Sequence, residues 1–335
     1  MNISTLEKYD SEKMYKIYDQ WPEIAYESFK IKQKSIDIEK IDHIVFAGMG
    51  GSGALSDLMF SLFSKTGIHI DIVKGYLLPK TVNSKTLVVT ISVSGNTVET
   101  LNILRAAHKI KSKLISFSNG GKIEKYCKKN KLEFFKVPIY HSPRASFASF
   151  LYTMLNVLQP ILPIQKSEII NSIKKMEQLR DQINSKNLNN KNDALNLAKW
   201  IPDVPVIYYP FGLQSAAIRF KNSLQENSKL HVISEDIIEA SHNGIVPWRN
   251  SKKFKPILVR GQDDFIKTKE RWEIIKEFFN ENNVEYKEIF SISGDILTKI
   301  TNLIYFFDYV SIYTASIRKI DPTPTEPIKF IKKRI

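Results

Sequence analysis

The sequence predicts an α/β fold with two parallel β-sheets, each covered by helices on both faces. Three observations predict it. Short β-branched runs alternate with helical stretches along most of the chain. Those runs are apolar throughout rather than at every second residue, the pattern of strands buried on both faces. The alternation pauses at a charged helical stretch and then restarts, which gives two similar halves.

Residues 1–40 read as an N-terminal helical segment with mixed charge and irregularly spaced Tyr, Trp and Phe. Residues 41–160 form the first domain. Its strands are expected at 44–47, 68–73, 87–91, 113–117 and 132–137, the last stopped by Pro138, and a helix follows over 145–158. Pro160 and Pro163 mark a boundary, and 161–200 reads as a helical linker. Residues 201–335 form the second domain. Its strands are expected at 204–209, 230–233, 256–259 and 285–289, with a long helix over 296–318. The turn DPTPTEP then precedes a short C-terminal helix. The two halves repeat in architecture and share no evident residue-level similarity.

A chain of 335 residues is long enough for about two domains, each with its own core. One cysteine, Cys127, excludes an internal disulfide framework and a cysteine-based metal cage, and it suits a reducing cytoplasm. No apolar run reaches the roughly 18 residues of a membrane span. The longest candidate, 303–312, is interrupted by Asp308, and the polar N-terminus has no secretory h-region. A cytoplasmic location without membrane contact is therefore expected.

The formal charge is +14. Its lysines are scattered, with short clusters only at Lys252-Lys253 and Lys332-Lys333-Arg334. No zinc-finger spacing or RNA-binding aromatic signature accompanies them. The charge reads as a solvated surface that attracts anionic substrates, and no nucleic-acid partner is expected. The six histidines are dispersed, without His-x-His or His-Glu-x-x-His spacing, so no metal is expected.

Two loops carry chemistry. Gly48-Met49-Gly50-Gly51-Ser52-Gly53 lies between a strand and a helix. Its glycines let a ligand approach the backbone, and the amides of the helix start favour an anion. The spelling also fits G-x-G-x-x-G. A dinucleotide site, however, wants an acid at the end of the next strand, and that strand ends Ile72-Val73-Lys74. The second loop is Ser92-Val93-Ser94-Gly95-Asn96-Thr97. A helix cap needs one hydroxyl; three clustered hydroxyls, Ser92, Ser94 and Thr97, suit the three terminal oxygens of a phosphate. Together Gly50, Gly51, Ser52, Ser92, Ser94 and Thr97 are the expected phosphate-binding residues.

GMGGSG, ISVSGNTVETL and the turn SNGG at 118–121 resemble the sugar isomerase (SIS) domain, a flavodoxin-like parallel-sheet fold. PRASF at 143–147, GLQSAAIRFKNSLQENSK at 212–229 and SHNGIV at 241–246 narrow the resemblance to the bifunctional phosphoglucose/phosphomannose isomerases. It covers roughly residues 40–335. Val93 departs from it, since many members carry an aromatic there.

The resemblance implies a metal-independent aldose–ketose isomerase that needs no cofactor. It would interconvert glucose 6-phosphate and mannose 6-phosphate with fructose 6-phosphate through a cis-enediol. It makes Glu226, placed just after a helix expected over 214–224, the base that moves the proton between C1 and C2. It makes His242 the ring-opening acid/base, reaching the neighbouring subunit of a homodimer. It makes Arg144 the guanidinium that stabilises the enediolate. Lys332 becomes a sugar-contacting lysine. Thr325, which replaces the glutamine of conventional phosphoglucose isomerases, is linked to acting on the mannose epimer. Lys329 and Lys333 compete with Lys332; the seven-residue spacing from Thr325 favours Lys332. The alternative is a non-catalytic sugar-phosphate-binding regulator that keeps the loops and lacks the reacting groups.

Overall fold

The computed structural model describes residues 1–34, 36, 41–250 and 253–335. Lys252 of the basic pair and most of the expected end of the N-terminal segment lie outside the described residues. In chain order the elements begin with α1 (Ile3–Tyr9), α2 (Met14–Asp19) and α3 (Trp21–Lys30). The first sheet follows: β1 (His43–Ala47), α4 (Gly51–Phe63), β2 (His69–Val73), β3 (Leu87–Ser92), α5 (Val98–Ile110), β4 (Lys113–Ser118), α6 (Gly121–Asn130), β5 (Glu133–Lys136) and α7 (Phe147–Val157). Helices α8 (Lys166–Ile183) and α9 (Asp193–Trp200) come next. The second sheet region is β6 (Val204–Tyr209), α10 (Gln214–Ser228), β7 (Ile233–Asp236), α11 (Ile237–Ala240), β8 (Phe254–Arg260), α12 (Ile266–Glu281), β9 (Lys287–Phe290), α13 (Ile296–Ile317) and α14 (Glu326–Lys332).

The chain forms two compact units. One comprises Gln20–Ile173 with Glu326–Ile335; the other comprises Met1–Asp19 with Lys174–Thr325. Both sheets are wholly parallel.

The first unit has strand order β2-β1-β3-β4-β5. Every residue of β1 and β3 is buried, the polar His43, Thr90 and Ser92 included, as expected of strands covered on both faces. Val45, Ala47 and Val88 face a core shared with Leu101, Leu104 and Ala107 of α5 and Ile123 and Cys127 of α6. Phe46 points to the other face, where its ring packs 6.3 Å from that of Phe63 on α4. Each of the Val, Leu, Ile and Phe side chains among them contributes about 1.5–3 kcal/mol when fully buried. Burial pushes the Cys127 thiol up, which keeps it protonated and unreactive. From β1 the chain goes to β2 on one side and then crosses to β3 on the other. The crevice at the carboxyl ends of β1 and β3 is thus a topological switch point, where open α/β sheets bind ligands.

The second unit has strand order β7-β6-β8-β9. Its central helix is α13, buried around most of its circumference and packed by α1, α2, α9 and α10. Because it faces protein on most sides, its polar residues, Asp308 and Ser311 among them, are buried with the apolar ones and find partners within the unit. Among the described residues, no helix is long and apolar enough to cross a membrane.

Two expectations change. The strand expected over 230–233 is instead Ile233–Asp236. Helix α10 continues to Ser228, and Lys229 closes it in a left-handed conformation with φ 57°. The apolar residues after it therefore serve as connection. The strand itself is polar because it lies at the sheet edge. For the same reason Glu226 does not follow the helix; it sits in its last turn.

Candidate active site

The switch-point crevice of the first unit is lined by the Gly-rich loop after β1 and the hydroxyl-rich loop after β3. After β1 the chain turns at Gly50, whose φ of 56° disfavours any residue with a Cβ. Gly51 and Ser52 then open α4. After β3 the turn is held from within. The Gly95 amide donates to Ser92 Oγ at 3.1 Å, and the Ser92 and Thr97 hydroxyls lie 2.9 Å apart. Asn96 N donates to Ser94 Oγ at 3.2 Å. Thr97 occupies the N-cap position of α5 yet makes no side-chain cap bond. Gly50 before α4 and Gly120 before α6 likewise supply none. At the switch point α4 and α5 thus begin with backbone amides that no side chain at the cap position satisfies, an arrangement suited to an anion, whereas the first amides of α6 are taken up by Asn96 Oδ1 and the Gly95 carbonyl.

Gly95 shows why this turn is glycine. Its φ is 66°, and a Cβ there would lie 1.8 Å from the carbonyl oxygen of Gly120. Asn96, which the hydroxyl pattern does not single out, has a structural role. Its Oδ1 accepts from Lys122 N at 3.1 Å, which ties the second loop to the start of α6. The dinucleotide alternative loses further ground here. Lys74, just past β2, is paired with Asp57 at 2.6 Å, where a ribose-binding acid would be needed.

Arg144 also belongs to the first unit. It lies in the segment between β5 and α7 and is 4% exposed, so it is not a surface arginine. The segment is fixed. Ser146 Oγ accepts from Tyr140 N at 2.8 Å and donates to Ser142 O at 2.8 Å. Trp21 Nε1 donates to Ala145 O at 2.8 Å. A guanidinium on such a support is pre-positioned.

Glu226 and His242 belong to the second unit. Glu226 is half-buried on α10, and its helix is locked to α13 by buried polar groups. Arg219 bonds Asp308 through Nε at 3.2 Å and Nη2 at 2.7 Å, and Ser223 Oγ donates to the same carboxylate. One turn on, Asn227 Nδ2 donates to Ser311 Oγ at 2.8 Å and Ser228 Oγ to Ser311 O at 2.7 Å. Residues 219, 223 and 227 recur every four positions on one helix face. Lys229 Nζ then donates to the Glu226 carbonyl, at 2.5 Å, and at 3.1 Å to that of Pro322. This joins the turn bearing Glu226 to the segment that leads to Thr325.

His242 is exposed in the turn after α11. The turn is anchored from below: Tyr208 Oη donates to Gly244 O at 3.3 Å and accepts from Trp248 Nε1 at 2.8 Å. Burial pushes the Tyr208 hydroxyl up to about 12, so it remains a donor. Thr325 is half-buried directly before α14, and Lys332 is exposed in the last turn of that helix. Lys329, its competitor, is engaged with Glu326 at 2.8 Å.

Two parallel sheets, one of them with anion-ready helix starts at its switch point, define a two-sheet sugar isomerase (SIS) fold. The structure matches tagatose-6-phosphate ketose/aldose isomerase from Escherichia coli with a TM-score of 0.69 and 14% identity, covering 92% of this chain and 94% of that one. Residues 190–335 match the family described as the bacterial phospho-glucose isomerase C-terminal SIS domain. Over 325 residues the chain is 30% identical to the bifunctional phosphoglucose/phosphomannose isomerase of Caldicellulosiruptor bescii, covering 93% of this chain and 94% of that protein. The protein of the same description from Aquifex aeolicus is 28% identical over 329 residues, covering 97% and 98%. The chain belongs to the bifunctional phosphoglucose/phosphomannose isomerase family.

Proposed function

We propose that the chain interconverts glucose 6-phosphate and mannose 6-phosphate with fructose 6-phosphate by proton transfer through a cis-enediol. The observation that carries this reading is Glu226 itself, a half-buried carboxylate on a helix turn locked by buried hydrogen bonds. A base that must serve two adjacent carbons has to be well positioned, and the buried bonds of Asn227 and Ser228 fix the helix turn that carries Glu226.

In this reading the phosphate is bound by the amides and hydroxyls of the loops at Gly50, Gly51, Ser52, Ser92, Ser94 and Thr97. These contacts persist through the reaction and set affinity rather than rate. His242 protonates and deprotonates the ring and anomeric oxygens during opening. Glu226 removes the C2 proton of the open-chain aldose and returns it to C1. Arg144 balances the charge that develops on the enediolate oxygen, the role otherwise given to a metal. Lys332 contacts the sugar hydroxyls, and Thr325 leaves room for either configuration at C2.

We further read His242 as contributed across a homodimer, since it projects from a pinned turn with no side-chain partner among the described residues. Domain limits near 41–160 and 201–335 and a cytoplasmic location complete the reading. A Glu226→Gln variant tests it: sugar-phosphate binding stays and isomerisation disappears. Near-normal turnover would remove Glu226 as the base.

A further inference from the structure

We propose that His43, His69 and Asp71 form a binding site for one divalent transition-metal ion of the zinc class. The site would be a clip on the edge strand of the first sheet. No spacing in the sequence announces it, because His43 is brought to the other two only by strand register. In the parallel pairing of β1 with β2, His43 stands opposite His69. Asp71, two residues further along β2, shares the face of His69.

The three side chains converge on one point. His43 Nε2 lies 3.0 Å and His69 Nε2 3.6 Å from the same oxygen, Asp71 Oδ2. All three donor atoms fall within 4.8 Å of one another. A tetrahedral ion with bonds of about 2.0–2.1 Å keeps its ligand atoms about 3.3 Å apart. Two of the three edges therefore already straddle the required length. The third closes by a rotation of His69, whose side chain is 64% exposed and has room to turn. Two imidazoles and one carboxylate, with solvent for a fourth position, are a ligand set that zinc-class ions accept.

The surroundings suit a ligand. The other nitrogen of His43, Nδ1, is 3.1 Å from Thr86 Oγ1, which also accepts from Asn83 N at 3.1 Å. A hydroxyl oxygen can take a second donor or give its own proton. Thr86 can thus accept Nδ1–H and leave the Nε2 lone pair aimed at the ion. This is the outer-shell bond that metal-binding histidines use to fix their tautomer. His43 is itself 8% exposed, so its ring is held in place.

The location separates the site from the phosphate loops. His43 begins β1, and the Gly50 loop follows its other end, about 16 Å away along the strand. Among the described residues β2 pairs with β1 alone. An ion there would hold that edge strand in register and stabilise the folded chain by mass action.

The test uses the untagged full-length chain, stripped with chelator and titrated with Co²⁺ as a spectroscopic probe and then with Zn²⁺. One ion per chain should bind, with the visible bands of a four-coordinate nitrogen and oxygen site, and the melting temperature should rise. His69→Ala and Asp71→Asn should each weaken binding at least about tenfold and abolish the bands, while far-UV circular dichroism shows both folded. His108→Gln, at a histidine outside the cluster, should bind normally. Absence of binding to the wild-type chain would overturn the proposal, as would undiminished binding in the two cluster variants. Neither readout involves turnover, so the outcome is independent of the isomerase reading.

Discussion

Arg219 Nη2 and Asp308 Oδ2 meet at 2.7 Å in an ion pair that is almost wholly removed from solvent, the two side chains 2% and 0% exposed. It joins α10 to α13 about two helical turns before Glu226. A buried pair of this kind adds little net stability over apolar packing, yet breaking it is costly. Asp308→Ala should therefore destabilise the second unit by about 3–5 kcal/mol, because the buried Arg219 charge loses the carboxylate it bonds directly. Adding Arg219→Met should recover a large part of the loss. Urea denaturation of the two variants checks this; additive losses would contradict it.

The Ser92–Thr97 hydroxyl contact divides the loop residues by role. Ser92 is buried and holds the turn, whereas Ser94 and Thr97 remain accessible. Ser94→Ala with Thr97→Ala should raise KM for the sugar phosphates about tenfold or more and leave kcat within a few-fold, as expected for contacts made throughout the reaction. Steady-state kinetics on fructose 6-phosphate decides it. An unchanged KM would place the phosphate elsewhere.

Gly95→Ala should be harsher than its size suggests. The added Cβ would meet Gly120 O at 1.8 Å in a left-handed backbone conformation. A cost of about 1–3 kcal/mol from the conformation alone is expected, with a rise in KM from the displaced turn. Thermal melting and kinetics of the one variant check both.

Thr325→Gln should reduce turnover of mannose 6-phosphate more than that of glucose 6-phosphate. The segment leading to Thr325 is fastened through Pro322 and Lys229 to the turn of Glu226, so a longer side chain there has little freedom to retreat. The ratio of kcat/KM for the two sugars is the readout. Equal losses would contradict the selectivity role.

Much of the fold is legible in the sequence. The limits of β1, β3, β4 and β6 can be read to within a residue, because short continuous apolar runs between turn signals suit strands buried on both faces. Ser92, Ser94 and Thr97 stand out because three hydroxyls in one turn exceed what capping needs. Strand β7 begins three residues later than its apolar neighbours suggest, since an edge strand need not be apolar and Ser234, Glu235 and Asp236 are not. The burial of Arg144 is not encoded locally either. It depends on the bonds of Ser146 and Trp21, the latter 124 positions away from its partner Ala145. The His43–His69 pairing is a matter of register between strands, and no spacing along one chain encodes it.

The isomerase reading is tested most directly by a coupled assay for fructose 6-phosphate. Glucose 6-phosphate and mannose 6-phosphate are offered separately to the purified chain in the presence of EDTA, beside the Glu226→Gln variant. Both sugars should be converted by the wild-type chain, the chelator should not inhibit, and the variant should lose about 10²-fold or more in kcat. Conversion of neither sugar, or equal conversion by Glu226→Gln, would contradict the proposed reaction and its base.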